Sequence, residues 1–254
     1  MIVQEEESIM KAHLAKIGII AAVALLVPAL LQADVYLKQK QHTDAYEVMG
    51  QNQPAEDLVT EIWIAKDKMA SNSEKQGFII RLDKNVSYII DHEKKTYIEM
   101  PADMSQMAAG MDDEDAAGMQ KMMAGMLKME VSITPTGEKK KIGAWQCKKY
   151  IQKIESFMGP MQAEIWASDE LKIDNSMYAR YASAMFARMP GMQSVVENMM
   201  KEMKKIEGVP VLTEASNNVM GQTIRSTTQL LEAGEGNAPA GVFDLPAGYK
   251  KTNM

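Results

Sequence analysis

"DLVTEIWIAKDKM", residues 57–69, alternates Leu58, Thr60, Ile62 and Ile64 with Val59, Glu61, Trp63 and Ala65. A period of two belongs to an extended chain whose successive side chains point to opposite faces, so this run predicts a strand rather than a helix. The pattern spreads outward from it, and residues 35–100 read as period-two runs separated by turn residues. "FIIRL" and "VSYII" are two such runs, and "IIDHEKKTYIEM" reads as two strands joined by a polar turn at residues 91–95. Pro101 then ends the series, because proline cannot donate to a sheet ladder. The result is a meander of antiparallel strands.

The same signal returns twice. "EVSITPTGEKKKIGAWQCKKYIQKIE" and "MQAEIWAS" follow residue 129, with Gly137 and Gly143 as punctuation. "VPVLTEASN", "MGQTIRSTTQLLEA", a loose "GEGNAPAG" and a last strand in "VFDLPAGYKK" close the chain. About 10–11 strands are expected, interrupted by helical insertions at about residues 103–129 and 174–206. No linker separates the parts, and a single mainly β (α+β) domain over residues 34–251 is the expected organisation.

Composition bounds the rest. The chain has 254 residues, 46% of them hydrophobic and 24% charged, which is globular material. Its net charge is −6 and no basic patch stands out, so a nucleic-acid partner is not expected. Residues 17–31 carry no charge and follow Lys11 and Lys16. That apolar stretch is short for a membrane span of about 20 residues and fits a secretory signal ending at Ala33. Glu5, Glu6 and Glu7 place negative charge ahead of it, so Met10 is a better-placed start. The expectation is an exported protein, periplasmic where the source has two membranes, and not an integral membrane protein after cleavage. Cys147 is the only cysteine, and no internal disulfide can form.

"TPTGEKKKIGAWQCKKY" and "VFDLPAGYKK" resemble a family of exported bacterial proteins of unknown function, through Thr136, Gly137, Glu138, Ile142, Gly143, Cys147 and Tyr150, and then Phe243, Leu245, Pro246, Gly248 and Tyr249. That family's domain is in turn similar to the lipoprotein carriers LolA and LolB. The resemblance implies an open antiparallel half-barrel with helices covering an apolar concave face, and it supplies no catalytic residue. Read without it, Cys147 is a small buried hydrophobe on the face shared by Trp145 and Lys149.

The helical insertions are unusual in their methionines. Residues 104–130, "MSQMAAGMDDEDAAGMQKMMAGMLKME", hold eight of them and no Ile, Val or Phe. Met119, Met122 and Met126 fall on one helical face, and Met107 and Met111 form a similar stripe. In the second insertion, residues 174–189 and 192–206 read as helices parted by Pro190-Gly191. Met199 and Met203 lie with Val195, Val196 and Ile206, while Glu197, Lys201, Glu202 and Lys205 lie opposite; Met185 and Met189 belong to the preceding helix.

Leucine would specify a packed core better, whereas methionine adds flexible torsions and a polarizable surface that repacks around irregular partners. Gly110, Gly118 and Gly125 each cost a helix interior about 1 kcal/mol, as expected of a weak lid. The candidate ligand-binding set is therefore Met107, Met111, Met119, Met122, Met126, Met185, Met189, Met199 and Met203, with Trp63 and Trp166 as wall residues. A hydrophobic ligand, a lipid or lipidated chain, is the leading reading. Two alternatives stay open.

One is a Cu(I)-binding protein, because Met-x-x-Met pairs such as Met104/Met107, Met119/Met122, Met123/Met126 and Met200/Met203 supply soft ligands. The other is a protein-interaction module docking through the same helices. No enzyme is expected, since the chain has no phosphate loop, zinc spacing or hydrolase serine motif, and neither a cofactor nor a resident metal site is assigned. His42 and His92 sit in polar strand or turn context.

Overall fold

The computed structural model describes residues 33–48, 51–102, 129–155, 159–171, 173, 193–219 and 222–252, all within the compact unit Ala33–Met254. The strands are Asp34–Thr43 (β1), Tyr46–Val48 (β2), Gln51–Gln53 (β3), Glu56–Ile64 (β4), Lys68–Asn72 (β5), Gln76–Arg81 (β6), Val86–Asp91 (β7) and Thr96–Pro101 (β8). They continue as Glu130–Ile142 (β9), Trp145–Glu155 (β10), Met161–Ser168 (β11), Val209–Val219 (β12), Gln222–Gly236 (β13) and Lys250–Lys251 (β14). Among the described residues the one helix is Gln193–Met203 (α1).

Twelve strands form a single open, half-barrel-like sheet in the order β14-β8-β7-β6-β5-β4-β1-β13-β12-β11-β10-β9, and β2 and β3 pair apart from it. The strand count thus exceeds the 10–11 expected. Part of the reason is local: Ala65 to Asp67 is a turn that splits residues 57–69 into β4 and β5, where alternation alone suggested one run. Of the two expected helical pairs, α1 falls among the described residues. The calls at 103–128 and 174–192 lie outside them.

Two meanders, β4 to β8 and β9 to β13, meet on β1. That strand pairs antiparallel with β4 through Val35↔Ile64 and with β13 through Asp34↔Gly236. Turn chemistry sets the registers. The loops after Arg81 and Asp91 each span four residues and end in a left-handed residue, Asn85 (φ 52°) and Lys95 (φ 53°). Asp91 Oδ1 accepts the Lys94 N–H at 2.8 Å inside the second. The β9–β10 hairpin turns through Gly143 and Ala144, between the paired Ile142 and Trp145. A φ of 58° at Gly143 gives the II′ geometry that matches strand twist.

Gly137 does not end a strand as its spacing suggested. Thr136, Gly137 and Glu138 stand opposite Lys149 alone, between the pairs Pro135↔Tyr150 and Lys139↔Lys148. This is a bulge, and glycine meets its φ of 80° without a Cβ penalty. Thr136 Oγ1 closes it by donating to Lys149 O at 3.2 Å. "VFDLPAGYKK" also departs from expectation: residues 242–249 form turns rather than a strand, because Pro246 lacks an N–H and Gly248 sits at φ 83°. Only Lys250–Lys251 joins the sheet, parallel to β8.

Candidate functional site: an apolar sheet face beside a helix

Directly paired residues on neighbouring strands share a sheet face, so the registers trace rows across the sheet. One row runs Leu37–Ile62–Ser71–Phe78–Ile89–Ile98 from β1 through β4 to β8, and its neighbour runs Val35–Ile64–Met69–Ile80–Ser87–Met100. Serine is the only polar residue type in either row. Burial is not uniform along them. Ile64 is 1% exposed, whereas Ile89, in the middle of a strand, is 42% exposed. Phe78, Ile98 and Met100 are half-buried.

The reverse face of the same strands is covered over β5 to β8 by a separate segment. Ala70, Ile79 and Ile90 form a core there with Tyr88, Tyr97, Val242, Phe243, Leu245 and Tyr249, so the C-terminal segment covers it. Arg81 locks that cover. It makes paired bonds to Asp83 (2.8 and 2.7 Å) and donates to Asp244 Oδ1 (3.0 Å) and the Phe243 carbonyl (3.3 Å). The guanidinium holds the Asp83 carboxyl below the usual carboxylate range. His92 pins the far end, with Nε2 donating to Asn72 Oδ1 (2.7 Å) and Nδ1 accepting from the Tyr249 hydroxyl (2.9 Å). His92 therefore holds the C-terminal cover rather than standing as a solvated surface group. His42 is more open, bonded through Nδ1 to Asp57 Oδ1 at 2.9 Å.

Helix α1 lies on the face of the two apolar rows. The paired series Ile165–Thr213–Thr228–Gln41–Leu58 carries that face from β11 to β4, and Leu58, Ile62 and Ile64 alternate on one side of β4. Ile165 belongs to a core with Ile133, Tyr150, Ala163 and Ala167, onto which Met203, Ile206 and Ala215 pack. Val195 and Val196 are buried as helical spacing implied. Met203 thus touches the sheet, and Met199 is half-buried. Met107, Met111, Met119, Met122, Met126, Met185 and Met189 lie outside the described residues.

Glu202 corrects the helical-wheel reading. Placed there on the solvent side, it is 8% exposed and accepts the Ile133 N–H at 2.7 Å. Helical periodicity cannot register an edge strand's spare donor. Strand β9 ends the sheet order, and α1 satisfies its outward groups, with Asn198 Nδ2 also reaching Val131 O at 3.5 Å. Lys205 Nζ, 2.7 Å from both Glu202 oxygens, and then the Ile133 N–H hold the Glu202 carboxyl below its ordinary range.

The two tryptophans are placed differently with respect to the apolar rows. Trp63 alternates with Ile62 and Ile64, so it faces the other way, and its ring lies 4.8 Å from Tyr36. Trp166 is 6% exposed and belongs to the core of Cys147, Val209, Val211 and Leu230 that also holds Val35, Leu37 and Ile64 from the β1–β4 end of the rows, and Lys140 Nζ sits 4.1 Å from its ring. Its Nε1 has no hydrogen-bond partner among the described residues. Cys147 is 1% exposed and burial pushes its thiol up, as suits a small core hydrophobe. Among the described residues no three His, Cys, Asp or Glu side chains come together as a metal site, and no helix is long and apolar enough to cross a membrane.

A family model described as Domain of unknown function (DUF4412) matches residues 55–249, from β4 through the C-terminal cover. None of the curated proteins matches the chain. A solved structure titled "Structure of PNGF-II in C2 space group" is similar with a TM-score of 0.34 and 13% identity, over 87% of this chain and 31% of that one. The chain therefore spans under a third of that protein's length, and a likeness at this level transfers neither ligand nor activity.

Proposed function

We propose, for a chain that belongs to the family described as Domain of unknown function (DUF4412), the role of an exported, non-enzymatic binding protein for a hydrophobic ligand, a lipid or a lipidated chain. The ligand lies on the helix-side rows of β4 to β8, in a carrier-like half-barrel, with the Met-rich segments as adaptable cover. One observation carries this reading: Phe78, Ile89, Ile98 and Met100 stay partly exposed on one face of strands whose other face packs residues 242–249 against Ala70, Ile79 and Ile90. Half-exposed Ile and Phe at adjacent mid-strand positions leave apolar area unburied, and a contiguous patch of that kind marks a binding surface. Export rests on the uncharged stretch at 17–31.

Burial of each ligand methylene contributes about 0.8 kcal/mol, so removing two from an acyl chain weakens binding by about tenfold. Titrating the protein with a series of fluorescent fatty acids of decreasing length tests this. A graded loss of affinity with chain length, and a lipid retained in native mass spectrometry, support the reading. A protein that binds no member of the series and carries no lipid overturns it.

A further inference from the structure

Along the strands, the apolar face of β6 to β8 ends in two different ways. Two residues before Phe78 and Ile98, and two after Ile89, the same face carries Gln76, Thr96 and Asp91, which the registers join as Gln76↔Asp91↔Thr96. Ser73 flanks this row across the β5–β6 turn, its Oγ donating to Gln76 O at 2.8 Å. The opposite end is closed. Ile80 and Ala102 are buried there with Met69, Phe78 and Leu82 packed against them, and the Ala102 N–H donates to Asn85 O at 3.1 Å. One face thus runs from a polar rim at the turns, over half-exposed Ile98 and the more open Ile89, to a buried end, with about 7 Å between the rim and the exposed row.

The rim is polar without a net charge. Residues 74–75 and 91–95 set Glu74, Asp91 and Glu93 against Lys75, Lys94 and Lys95. Lys75 is paired with Glu56, and Lys94 with Asp91. The Asp91 side chain is 34% exposed, and the bonds from the Lys94 N–H and then its ammonium hold the carboxyl below the usual carboxylate range. It stays an anion at neutral pH, an acceptor with about four lone-pair sites of which Lys94 uses part. Gln76 is exposed and Thr96 half-buried, and both side chains donate and accept. A carboxylate head would bring a second anion to Asp91 and no proton to donate. A hydroxyl brings the donor that an ionised Asp91 lacks.

We propose, resting on the reading of this face as a lipid site, that the Gln76–Asp91–Thr96 row seats the head of the ligand and selects an uncharged, hydroxyl-bearing head on a single acyl chain. The chain runs from the rim over Ile89 and Ile98 toward Met100. Ile89 and Ile98 are directly paired on neighbouring strands, about 4.8 Å apart, so the strip between rim and buried end has the width of one chain. Asp91 determines the specificity: it accepts from a head hydroxyl, and its charge turns a carboxylate away. Thr96 and Gln76 supply the remaining hydrogen bonds of a polyol head.

Calorimetric titration of the full chain with monolauroylglycerol, laurate and lauryltrimethylammonium, each below its aggregation concentration and at about pH 8, compares three heads on one chain length. Monolauroylglycerol should bind about tenfold more tightly than laurate, the scale of one hydrogen bond to a charged acceptor, and more tightly than the donor-less ammonium. Asp91→Asn keeps an oxygen for the Lys94 N–H and should bring the affinities for monolauroylglycerol and laurate to within about twofold of each other. Thr96→Val leaves that turn bond untouched and should weaken monolauroylglycerol by about threefold with laurate unchanged. Equal binding of the three heads, or a ratio that Asp91→Asn leaves at its parent value, overturns the assignment of the head and leaves the apolar face standing as a lipid site. Binding of none of the three overturns the reading of the face itself, and the head assignment with it.

Discussion

The two wings of the sheet share one face and bury it differently. In β9 to β12 the helix-side positions include Ala163, Ala167 and Ala215, and α1 fills the space above them with Met203 and Ile206. In β5 to β8 the corresponding face carries Phe78, Ile80, Ile89, Ile98 and Met100. Ile133, Tyr150 and Ile165 are as large as the residues of β5 to β8 yet are buried beneath the helix, whereas exposure rises to that of Ile89 in the other wing, so the wings differ in cover rather than in residue size. The gradient along the row from Leu37 to Ile98 is the sharpest form of this difference.

The largest expected effect lies in the neighbouring row, at its most buried position. Ile64 is enclosed by Val35, Leu37 and Leu230 in the core where β1 joins the wings, and Ile64→Ala should cost about 3 kcal/mol through lost transfer energy and a cavity. Urea unfolding measures it. A loss under about 1 kcal/mol would mean that the junction can collapse around the gap, and the contrast between the buried junction and the exposed Ile89 would fail.

Next in size is the seal on the reverse face. Arg81→Met removes the bonds to Asp83, Asp244 and the Phe243 carbonyl and should cost about 1–2 kcal/mol, less than for a fully enclosed pair because Asp244 stands in solvent. The effect should be local, with faster proteolytic cleavage within residues 237–248 while β9 to β13 keep their amide protection. Cleavage no faster than in the parent would show that Val242, Phe243 and Leu245 hold the cover alone.

Much of this architecture was legible in the chain. The alternation of Leu58 to Ile64 announces a strand with two unlike faces, and the polar turn before Thr96 announces a hairpin. Which face meets the helix was not legible, because alternation is symmetric. It follows only from the long-range pairing of Leu58 with Gln41 and onward to Ile165. The same register places Trp63 on the face opposite Ile62 and Ile64, which alternation alone left open. Glu202 escaped for a related reason, since a carboxylate on a helical wheel looks solvated until an edge N–H such as that of Ile133 is placed beside it. The C-terminal segment reads as strand by composition, but Arg81 and His92, both far away in sequence, decide its course.

Acid should separate the wings by another route. The Glu202 carboxyl is held below its ordinary value by Lys205 and the Ile133 N–H. Its contribution is therefore fully present above the ordinary glutamate pKa of about 4.3 and is lost as pH falls through the depressed value. Hydrogen exchange at about pH 3, compared with about pH 6, should show α1 and the β9 edge losing protection before β4 to β7 do. In Glu202→Gln the amide keeps an acceptor for Ile133, so that acid-specific step should shrink. An unchanged step in this variant would mean that another carboxylate governs the helix.

The smallest effect on stability should carry the most functional information. Ile89 is already 42% exposed, so Ile89→Ala gives up little burial and should cost under about 1 kcal/mol. If its exposed area is a reserve for ligand, the same change should weaken binding of a long-chain fluorescent fatty acid by severalfold, with a smaller effect on a short one that does not reach it. The reverse-face substitution Tyr88→Phe offers the control, because Tyr88 packs with Tyr97 under the C-terminal cover and belongs to neither apolar row. Equal losses at both positions would mean that probe affinity follows the stability of the wing and not contact with one face. A loss confined to Ile89 would tie the exposure gradient to ligand.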